Sequence, residues 1–414
     1  MTDTTIESSA AGHAPDGPGG ALTGQAVFPL PRESLLEPPS MLARWRQEHP
    51  VHRVALPGNR HAWLVTRYAD ARAVLADPRF SSRSERPGFP TVQADPILSV
   101  PGAFLDYDPP EHGRLRRMLT KDFTPKRVAA LRPAVERITG GILDELCAHG
   151  QPADLVEGFA LPLPVAVICE VLGVPFEDRC LFQEWGRLIG SLTASSDEVN
   201  TAITEIDAYL RELLAAKGAD PQDDMLSRLV AGVRAGGTTQ DEAVGMTMML
   251  LVAGHDPASK ALALAVVHLL DQPDERRGLL ADPDRLPALV EELLRYLSPF
   301  HTAFRQATED VTVGEVTVRA GEGVLVSYLA ADHDPEAFAE PGRLCPGRER
   351  RHHLAFGYGV HQCLGQHLAR LELTVALREL FRRLPGLRLA EPVAALGFAE
   401  RGVADGPAAV PVTW

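Results

Sequence analysis

The segment that most restricts how this chain can fold is the ten-residue stretch 356–365, which reads Phe-Gly-Tyr-Gly-Val-His-Gln-Cys-Leu-Gly. Gly357 and Gly359 allow a tight loop, and without a structural need they would cost stability. Cys363 follows at the opening of an apolar-periodic helix, predicted over residues 364–382. Free backbone N–H groups and the positive end of the helix dipole stabilise a thiolate there and lower its pKa. The segment therefore predicts a soft metal ligand.

The other cysteines give no sign of a disulfide framework or a zinc site. The chain has five cysteines, an odd number, and no Cys-x-x-Cys pair. Cys147 and Cys169 lie in apolar helical stretches without a glycine loop, which is typical of buried, unreactive cysteines. This pattern indicates a reducing compartment, and we expect a cytoplasmic protein.

Charge and hydropathy disfavour two classes of partner. The 41 basic and 55 acidic residues give a net charge of −14, which disfavours nucleic acid as the main partner. The longest apolar stretches, residues 243–254 and 261–270, are shorter than the roughly 20 residues that span a bilayer. We therefore expect a soluble protein that binds no nucleic acid and no membrane.

Periodicity predicts a mainly α-helical single domain with small β-sheets. Residues 1–26, rich in small and polar side chains, predict a disordered lead, so that residues 27–414 would form the domain. A hairpin is predicted over residues 51–66 and a short helix over residues 68–76. Nearly every segment from residue 109 to residue 296 is helical, with Asp108 as the predicted cap and Pro109 as the first residue of the first helix. Further strands are predicted between residues 311 and 329.

The ten-residue segment fits the signature Phe-Gly-x-Gly-x-His-x-Cys-x-Gly at every fixed position, and in this the chain resembles the cytochrome P450 family of haem-thiolate monooxygenases. The resemblance runs from about residue 28 onward. It implies the cytochrome P450 fold, one large haem domain, and haem b (iron protoporphyrin IX) as the cofactor. Cys363 would be the iron ligand, Phe356 would pack near the haem, His361 would contact a propionate, and Gly365 would complete the cofactor loop. A thiolate on haem iron favours cleavage of the O–O bond.

Three other segments match the same family. Glu292 and Arg295 stand three residues apart on a helix, where they can form an ion pair, and in the family this pair is a buried structural lock. Residues 108–112 resemble the family's haem-contacting helix, and residues 304–307 resemble its propionate-binding strand. The side chains implied as propionate contacts are His112, Arg116, Arg305 and, as a weaker candidate, His353. Charge-assisted hydrogen bonds from such groups would compensate two propionates.

The apolar helix predicted over residues 246–270 departs from the family's pattern. It resembles the helix that crosses the distal face of the haem, and Ala253, Gly254 and Asp256 fit the motif Ala-Gly-x-Glu/Asp-Thr. Pro257 stands where the motif has an alcohol that helps to deliver protons. Proline removes one helical N–H group and crowds the carbonyl of Ala253, so we expect a kink. Ser259, an ordered water or a substrate hydroxyl would then replace the alcohol in this predicted catalytic set.

The resemblance implies an enzyme that uses O2 and two electrons to hydroxylate or epoxidise a small apolar or natural-product substrate in specialised metabolism. The sequence has no flavin or nicotinamide fingerprint, so a separate ferredoxin and ferredoxin reductase would supply the electrons, and we expect a monomer. The predicted docking face is basic and comprises Arg114, Arg116, Arg117 and Lys121. Because of Pro257, radical coupling or desaturation and peroxide-driven oxidation stand as alternatives. A haem-based binding or sensor protein is a third alternative, against which the complete distal helix argues.

Overall fold

The computed structural model describes residues 27–58, 60–91, 98–191, 194–349, 352–399 and 404–414. The predicted disordered lead at residues 1–26 lies outside these ranges. Within them the helices are α1 Ser40–Glu48, α2 Tyr68–Ala76, α3 Glu111–Thr120, α4 Pro125–Ala130, α5 Arg132–His149, α6 Pro162–Leu172, α7 Arg179–Gly190, α8 Ser196–Ala219, α9 Met225–Arg234, α10 Gln240–Asp271, α11 Pro273–Ala281, α12 Leu286–Leu297, α13 Tyr328–Asp332 and α14 Gln366–Arg383.

Three small sheets accompany these helices. The strands are β1 Val51–Leu56, β2 Arg60–Val65, β3 Phe80–Ser81, β4 Ala153–Asp154, β5 Thr302–Ala307, β6 Val311–Val313, β7 Val316–Val318, β8 Gly323–Ser327, β9 Arg388–Leu389 and β10 Pro411–Thr413. A five-stranded sheet has the order β1-β2-β8-β5-β3, in which β2 and β8 are parallel and the other pairs are antiparallel. The smaller sheets are β4-β10-β9 and the hairpin β6-β7. The predicted α-rich class with small sheets is confirmed.

The central helix, α10, lies in the largest hydrophobic core and packs against α6, α7, α8 and α14. Its start is fixed by a capping box in which the Thr239 hydroxyl accepts the Glu242 N–H and the Glu242 carboxylate accepts the Thr239 N–H. By length and composition α10 could cross a membrane, but 61% of its most apolar window is buried inside the protein. Burial of this kind is typical of a core helix.

Neighbouring segments approach α10 closely at positions where one of the two residues in contact is glycine. A Cβ atom placed on Gly245 would lie 1.7 Å from the carbonyl oxygen of Pro101, and one on Gly254 would lie 3.0 Å from Ile168. Across the contact with α7, a Cβ atom on Gly186 would lie 2.2 Å from the imidazole of His255. Real Cβ atoms do not come as near as 1.7 or 2.2 Å, so glycine is needed for the loop before α3 and for α7 to touch α10, whereas a Cβ atom at Gly254 would require Ile168 of α6 to shift by a few tenths of an ångström.

Three helix boundaries differ from the predictions. Helix α3 begins at Glu111, two residues after Pro109, and Asp108 does not cap it. The Asp108 carboxylate instead accepts the Ser81 hydroxyl at 2.5 Å and the Ser82 N–H at 2.8 Å. Helix α14 begins at Gln366, so Cys363 precedes it by three residues, and α10 begins at Gln240, six residues earlier than predicted.

Candidate functional site

The loop before α14 takes its shape from two glycines in the left-handed region of backbone conformation. Gly357 has φ +68° and Gly359 has φ +75°. A Cβ atom on Gly359 would also lie 2.5 Å from the carbonyl oxygen of Leu75 in α2. The Cys363 N–H donates to the carbonyl oxygen of Phe356 at 2.8 Å, which closes the loop and fixes the sulfur-bearing residue against α14.

The environment of Cys363 sets the acidity of its thiol. The residue has exposed surface although protein surrounds it closely enough for burial to raise the pKa of its thiol. The N–H of Gly365 and the charges of Arg116 and Arg370 act in the opposite direction without outweighing burial. The expected lowering of this pKa is therefore wrong, because desolvation exceeds the helix-end effect. A bound metal ion deprotonates a coordinating thiol outright, so such a cysteine still suits a metal centre.

A second face of the site gathers four cationic or protonatable side chains. The rings of His112 and His361 lie 4.1 Å apart, centroid to centroid. Arg116 donates to the carbonyl oxygen of Gln362 at 2.5 Å, and Arg305 is 8% exposed on β5. Four of the predicted propionate contacts, from α3, β5 and the cysteine loop, are thus brought together.

The electrostatics of this cluster indicate that it binds an anion. Burial, followed by Arg116 and Arg305, lowers the pKa of His112 to about 4. Burial, Arg305, His112 and Arg116 lower the pKa of His361 to about 2. The Nε2 atom of His112 is buried and has no hydrogen-bond partner in the described part of the chain. Two buried guanidinium groups and an unpaired buried nitrogen fit the two carboxylates of a haem, whose iron the nearby thiol would bind.

His353 lies in a different cluster, which corrects its prediction as a propionate contact. Its Nε2 atom is 3.3 Å from Glu291 of α12, which also pairs with Arg370 of α14. Burial raises the pKa of Glu291, but hydrogen bonds from His353 and Arg370 outweigh it and bring the value to about 2. The guanidinium of Arg370 lies 4.5 Å from the centre of the Phe356 ring. This cluster braces the cysteine loop from α12 and α14.

The Glu292–Arg295 pair is buried in α12, as the resemblance implied. Arg295 donates to the two carboxylate oxygens at 3.0 and 2.8 Å, and the pair is 7% and 2% exposed, respectively. Arg295 also donates to the carbonyl oxygens of Asp332 and Arg343, and Arg348 donates to Glu292 at 2.8 Å. The pair thus ties α12 to the segment leading toward the cysteine loop.

The middle of α10 is the one stretch of this core helix that faces open space in the described residues. Ala253 is exposed, and Gly254, Asp256 and Pro257 are half-buried, whereas most residues of α10 before and after this stretch are buried. The helix continues through Pro257, whose nitrogen cannot donate to the carbonyl of Ala253. His255 points into the packed core, where its Nδ1 atom is 2.6 Å from the carbonyl oxygen of Leu251.

Sequence reasoning missed Lys260, which binds Asp256. The Lys260 Nζ atom lies 2.9 Å from Oδ1 and 3.0 Å from Oδ2 of Asp256. The spacing of Asp256 and Lys260 in the sequence could have indicated this pair, because residues four apart on a helix are neighbours. The predicted acid of the distal helix is therefore held in an ion pair.

The predicted basic face is smaller than expected. Arg114 forms an ion pair with Glu242 of α10, and Arg116 points inward to the cysteine loop. Arg117 and Lys121 remain exposed.

Comparison with known proteins agrees with this geometry. A cytochrome P450 family model matches residues 181–385. Pentalenic acid synthase of Streptomyces avermitilis is 42% identical over 402 residues, which cover 96% of this chain and 99% of the relative. Mycinamicin IV hydroxylase/epoxidase of Micromonospora griseorubida is 42% identical over 89% of this chain and 94% of its own length. The solved structure of the mycinamicin VIII C21 methyl hydroxylase MycCI from that organism superposes with a TM-score of 0.88 at 37% identity, covering 94% of this chain and 100% of that chain. Full-length similarity and a shared fold, together with the cysteine loop, show that the chain belongs to the cytochrome P450 family of haem-thiolate monooxygenases.

Proposed function

We propose that this monooxygenase holds haem b through Cys363 and tailors an apolar specialised metabolite. The observation that carries the proposal is the cysteine loop, in which Cys363 lies near Arg116 and a pair of histidine rings in contact, one of which has a buried nitrogen atom without a hydrogen-bond partner in the described residues. When bound, the haem supplies the activation of O2 that a thiolate ligand favours. The same site gives no support to a sensor protein, and the relatives compared above are named for oxidising enzymes.

The chain's own residues divide this work between them. Cys363 ligates the iron, and Gly365 donates its N–H to the sulfur. Arg305 and Arg116 bind the propionates together with two histidines of the cationic cluster, and Phe356 packs against the haem. The histidine Nε2 atom that lacks a partner, on His112, gains one when a propionate is bound.

The middle of α10 would leave room for substrate and O2. Ala253 is exposed and has a small side chain, so substrate and O2 can approach α10 there. Pro257 leaves the carbonyl of Ala253 without its helical donor, so a water molecule can bind this oxygen. Asp256 is the acid next to the position of the missing alcohol, and Lys260 holds it in an ion pair.

The proposed substrate class rests on the relatives. Mycinamicin hydroxylases and pentalenic acid synthase are named for natural products of bacteria. We therefore propose an apolar natural product as the substrate class. Oxygen insertion, rather than radical coupling or peroxide-driven oxidation, is the proposed reaction.

Electrons reach the haem from a ferredoxin that is in turn reduced by a ferredoxin reductase, in the cytoplasm, and the enzyme acts as a monomer. The ferredoxin docks at the surface beside Arg117 and Lys121, whose charges complement an acidic donor. The rate of reduction should fall as ionic strength rises through about 0.15 M, where the screening length is about 8 Å. A salt-independent rate would exclude electrostatic docking at this surface.

The decisive experiment compares two cysteine variants. Cys363→Ala should lose the carbon monoxide difference spectrum of a thiolate-ligated ferrous haem and should lose turnover. Cys147 in α5 is exposed rather than buried as the sequence indicated, so Cys147→Ala is the matched control and should keep both. A Cys363→Ala protein that retained the thiolate spectrum would overturn the assignment.

A further inference from the structure

Tyr328 is a buried tyrosine whose hydroxyl group makes no hydrogen bond to any residue that the structure describes. The residue is 6% exposed and belongs to the hydrophobic cluster on one face of the five-stranded sheet. A buried tyrosine hydroxyl usually has a hydrogen-bond partner, because an unpaired polar group inside a protein costs free energy. The hydroxyl of Tyr328 is therefore a candidate for contact with a bound group.

The five-stranded sheet places Tyr328 and Arg305 on the same face. Arg305 of β5 pairs with Val324 of β8, and residues directly opposite each other on two strands share a face. Because side chains alternate along a strand, Val324, Val326 and Tyr328 also share a face. Tyr328 directly follows β8, and its N–H donates to the carbonyl oxygen of His301 at 2.8 Å, which continues the pairing of the two strands. The long side chains of Arg305 and Tyr328 therefore extend to the same side of the sheet.

On that side of the sheet, the hydroxyl of Tyr328 lies against the cysteine loop. A Cβ atom placed on Gly357 would lie 3.0 Å from the hydroxyl oxygen. Burial raises the pKa of Tyr328 to about 12, while the charge of Arg305 lowers this pKa and that of Cys363 raises it. The phenol is thus neutral near pH 7, and both charged groups are close enough to act on it. It is a hydrogen-bond donor beside the loop that carries the iron ligand.

Arg305 also lacks an anionic partner. Its guanidinium donates to the carbonyl oxygen of Phe304 at 2.7 Å, and no carboxylate of the described residues lies within ion-pair distance of it. Burial lowers the pKa of Arg305, and the more distant Tyr328 and Asp108 only partly offset this effect. A buried charge without a partner is costly, so an anion is expected here. A neutral donor and a guanidinium on one face of the sheet suit a single carboxylate group.

We propose that Tyr328 donates its hydroxyl hydrogen to the haem propionate that Arg305 binds, and that it positions the cofactor from the β8 side of the site. This inference rests on the haem-binding function proposed above. His112 and Arg116 approach the propionates from α3, and His361 approaches them from the cysteine loop. Tyr328 adds a donor from the opposite element. Because this donor is neutral, it stabilises the propionate without adding to the positive charge of the cluster.

The first test measures how firmly the protein retains haem. Tyr328→Phe removes the hydroxyl group and keeps the ring, so transfer of haem to an acceptor protein should become about 10-fold faster or more, as expected when a hydrogen bond to a charged acceptor is lost. Tyr296→Phe is the matched control, because Tyr296 is 5% exposed and its hydroxyl donates to Glu37, away from the cysteine loop. This control should retain haem as the wild type does. Wild-type retention in Tyr328→Phe, or equally fast loss in both variants, would overturn the proposal.

A second test identifies the group that the hydroxyl binds. In the resonance Raman spectrum of the ferric holoenzyme, the propionate bands should shift in Tyr328→Phe, whereas the iron–sulfur band of the Cys363 ligand should stay in place. Unchanged propionate bands would overturn the proposal. A shift of the iron–sulfur band alone would also overturn it, because the hydroxyl would then bind the sulfur.

A double-variant cycle tests whether Tyr328 and Arg305 share one propionate. The rates of haem loss in Tyr328→Phe, Arg305→Gln and the double variant should be non-additive, because two groups that bind one carboxylate are coupled. Additive effects would contradict a shared propionate. A wild-type protein without the thiolate carbon monoxide spectrum would refute the proposed function itself. A wild-type protein with that spectrum, beside a Tyr328→Phe variant of unchanged haem retention, would refute this inference alone.

Discussion

Replacing Glu292 by Gln removes the negative centre of a buried cluster. Its carboxylate accepts hydrogen bonds from Arg295, from Arg348 and from the backbone N–H of Cys345. The two guanidinium groups would keep their charge, since arginine stays protonated in proteins. The new amide NH2 group would also face donors rather than acceptors. We therefore expect a large loss of stability from a substitution that hardly alters side-chain volume.

The size of the loss follows from burial. Glu292 is 7% exposed and Arg295 is 2% exposed, so solvent screens the uncompensated charges little. Breaking a buried pair by removing one partner costs about 3–5 kcal/mol. An unfolding entropy of about 2.1 cal/mol/K per residue over a chain of this length converts that cost into a fall in Tm of roughly 3–6 °C.

The adjacent residue provides the control. Glu291 has the same chemistry and pairs with Arg370, but its side chain is 42% exposed. Glu291→Gln should cost no more than about 1 kcal/mol. Thermal unfolding followed by circular dichroism, with haem retention recorded in parallel, compares the two variants. If Glu291→Gln lowers Tm as much as Glu292→Gln does, burial of the charge is not the cause and the reasoning fails.

Three further predictions concern other parts of the site. The hydrogen bond from Arg114 lowers the pKa of Glu242 to about 2, so this pair stabilises the fold above pH 4.5 and loses its contribution as the pH falls toward 2. Because Arg114 is 42% exposed, that contribution is about 1 kcal/mol. When stability is measured during acid titration, Glu242→Gln should lack this component. Gly359→Ala places a Cβ atom against the carbonyl of Leu75 at a positive φ and should cost at least about 1–3 kcal/mol and weaken haem retention, measured by haem loss to an acceptor; normal retention would contradict it. Pro257→Thr should raise the product formed per electron with substrate analogues that lack a hydroxyl group. Equal coupling in the wild type and in Pro257→Thr would show that proton delivery does not need an alcohol at this position.

Local signals in the sequence were sufficient where neighbouring residues decide the structure. The strand β1 and the helix α2 have the predicted bounds, because period-two and period-3.6 patterns are properties of a few adjacent side chains. The start of α3 was misjudged because Ser81 and Ser82, far from it in sequence, bind the carboxylate of Asp108. The early start of α10 could have been found, since Thr239 and Glu242 form a capping box that is visible in the sequence.

In the candidate site, too, the sequence predicted the features set by neighbouring residues and missed those set by distant ones. The spacing of the motif around Cys363 located the sulfur and the histidine beside it, but not the effect of burial on the thiol, which depends on the surrounding fold. His353 was misassigned because its partner, Glu291, comes from α12. The Arg32 and Asp405 contact joins the two ends of the chain, and no local pattern signals it.

The close glycine contacts of α10 also bear on laboratory evolution of this enzyme. At positions 245 and 186 a Cβ atom would lie no more than 2.2 Å from another segment, so we expect most substitutions there to disturb folding. Diversity is better placed at exposed positions such as Leu98, Leu105 and Leu181, which are 50%, 45% and 42% exposed. A protein engineer can thus vary exposed positions and keep the glycine contacts that hold the helix carrying Asp256.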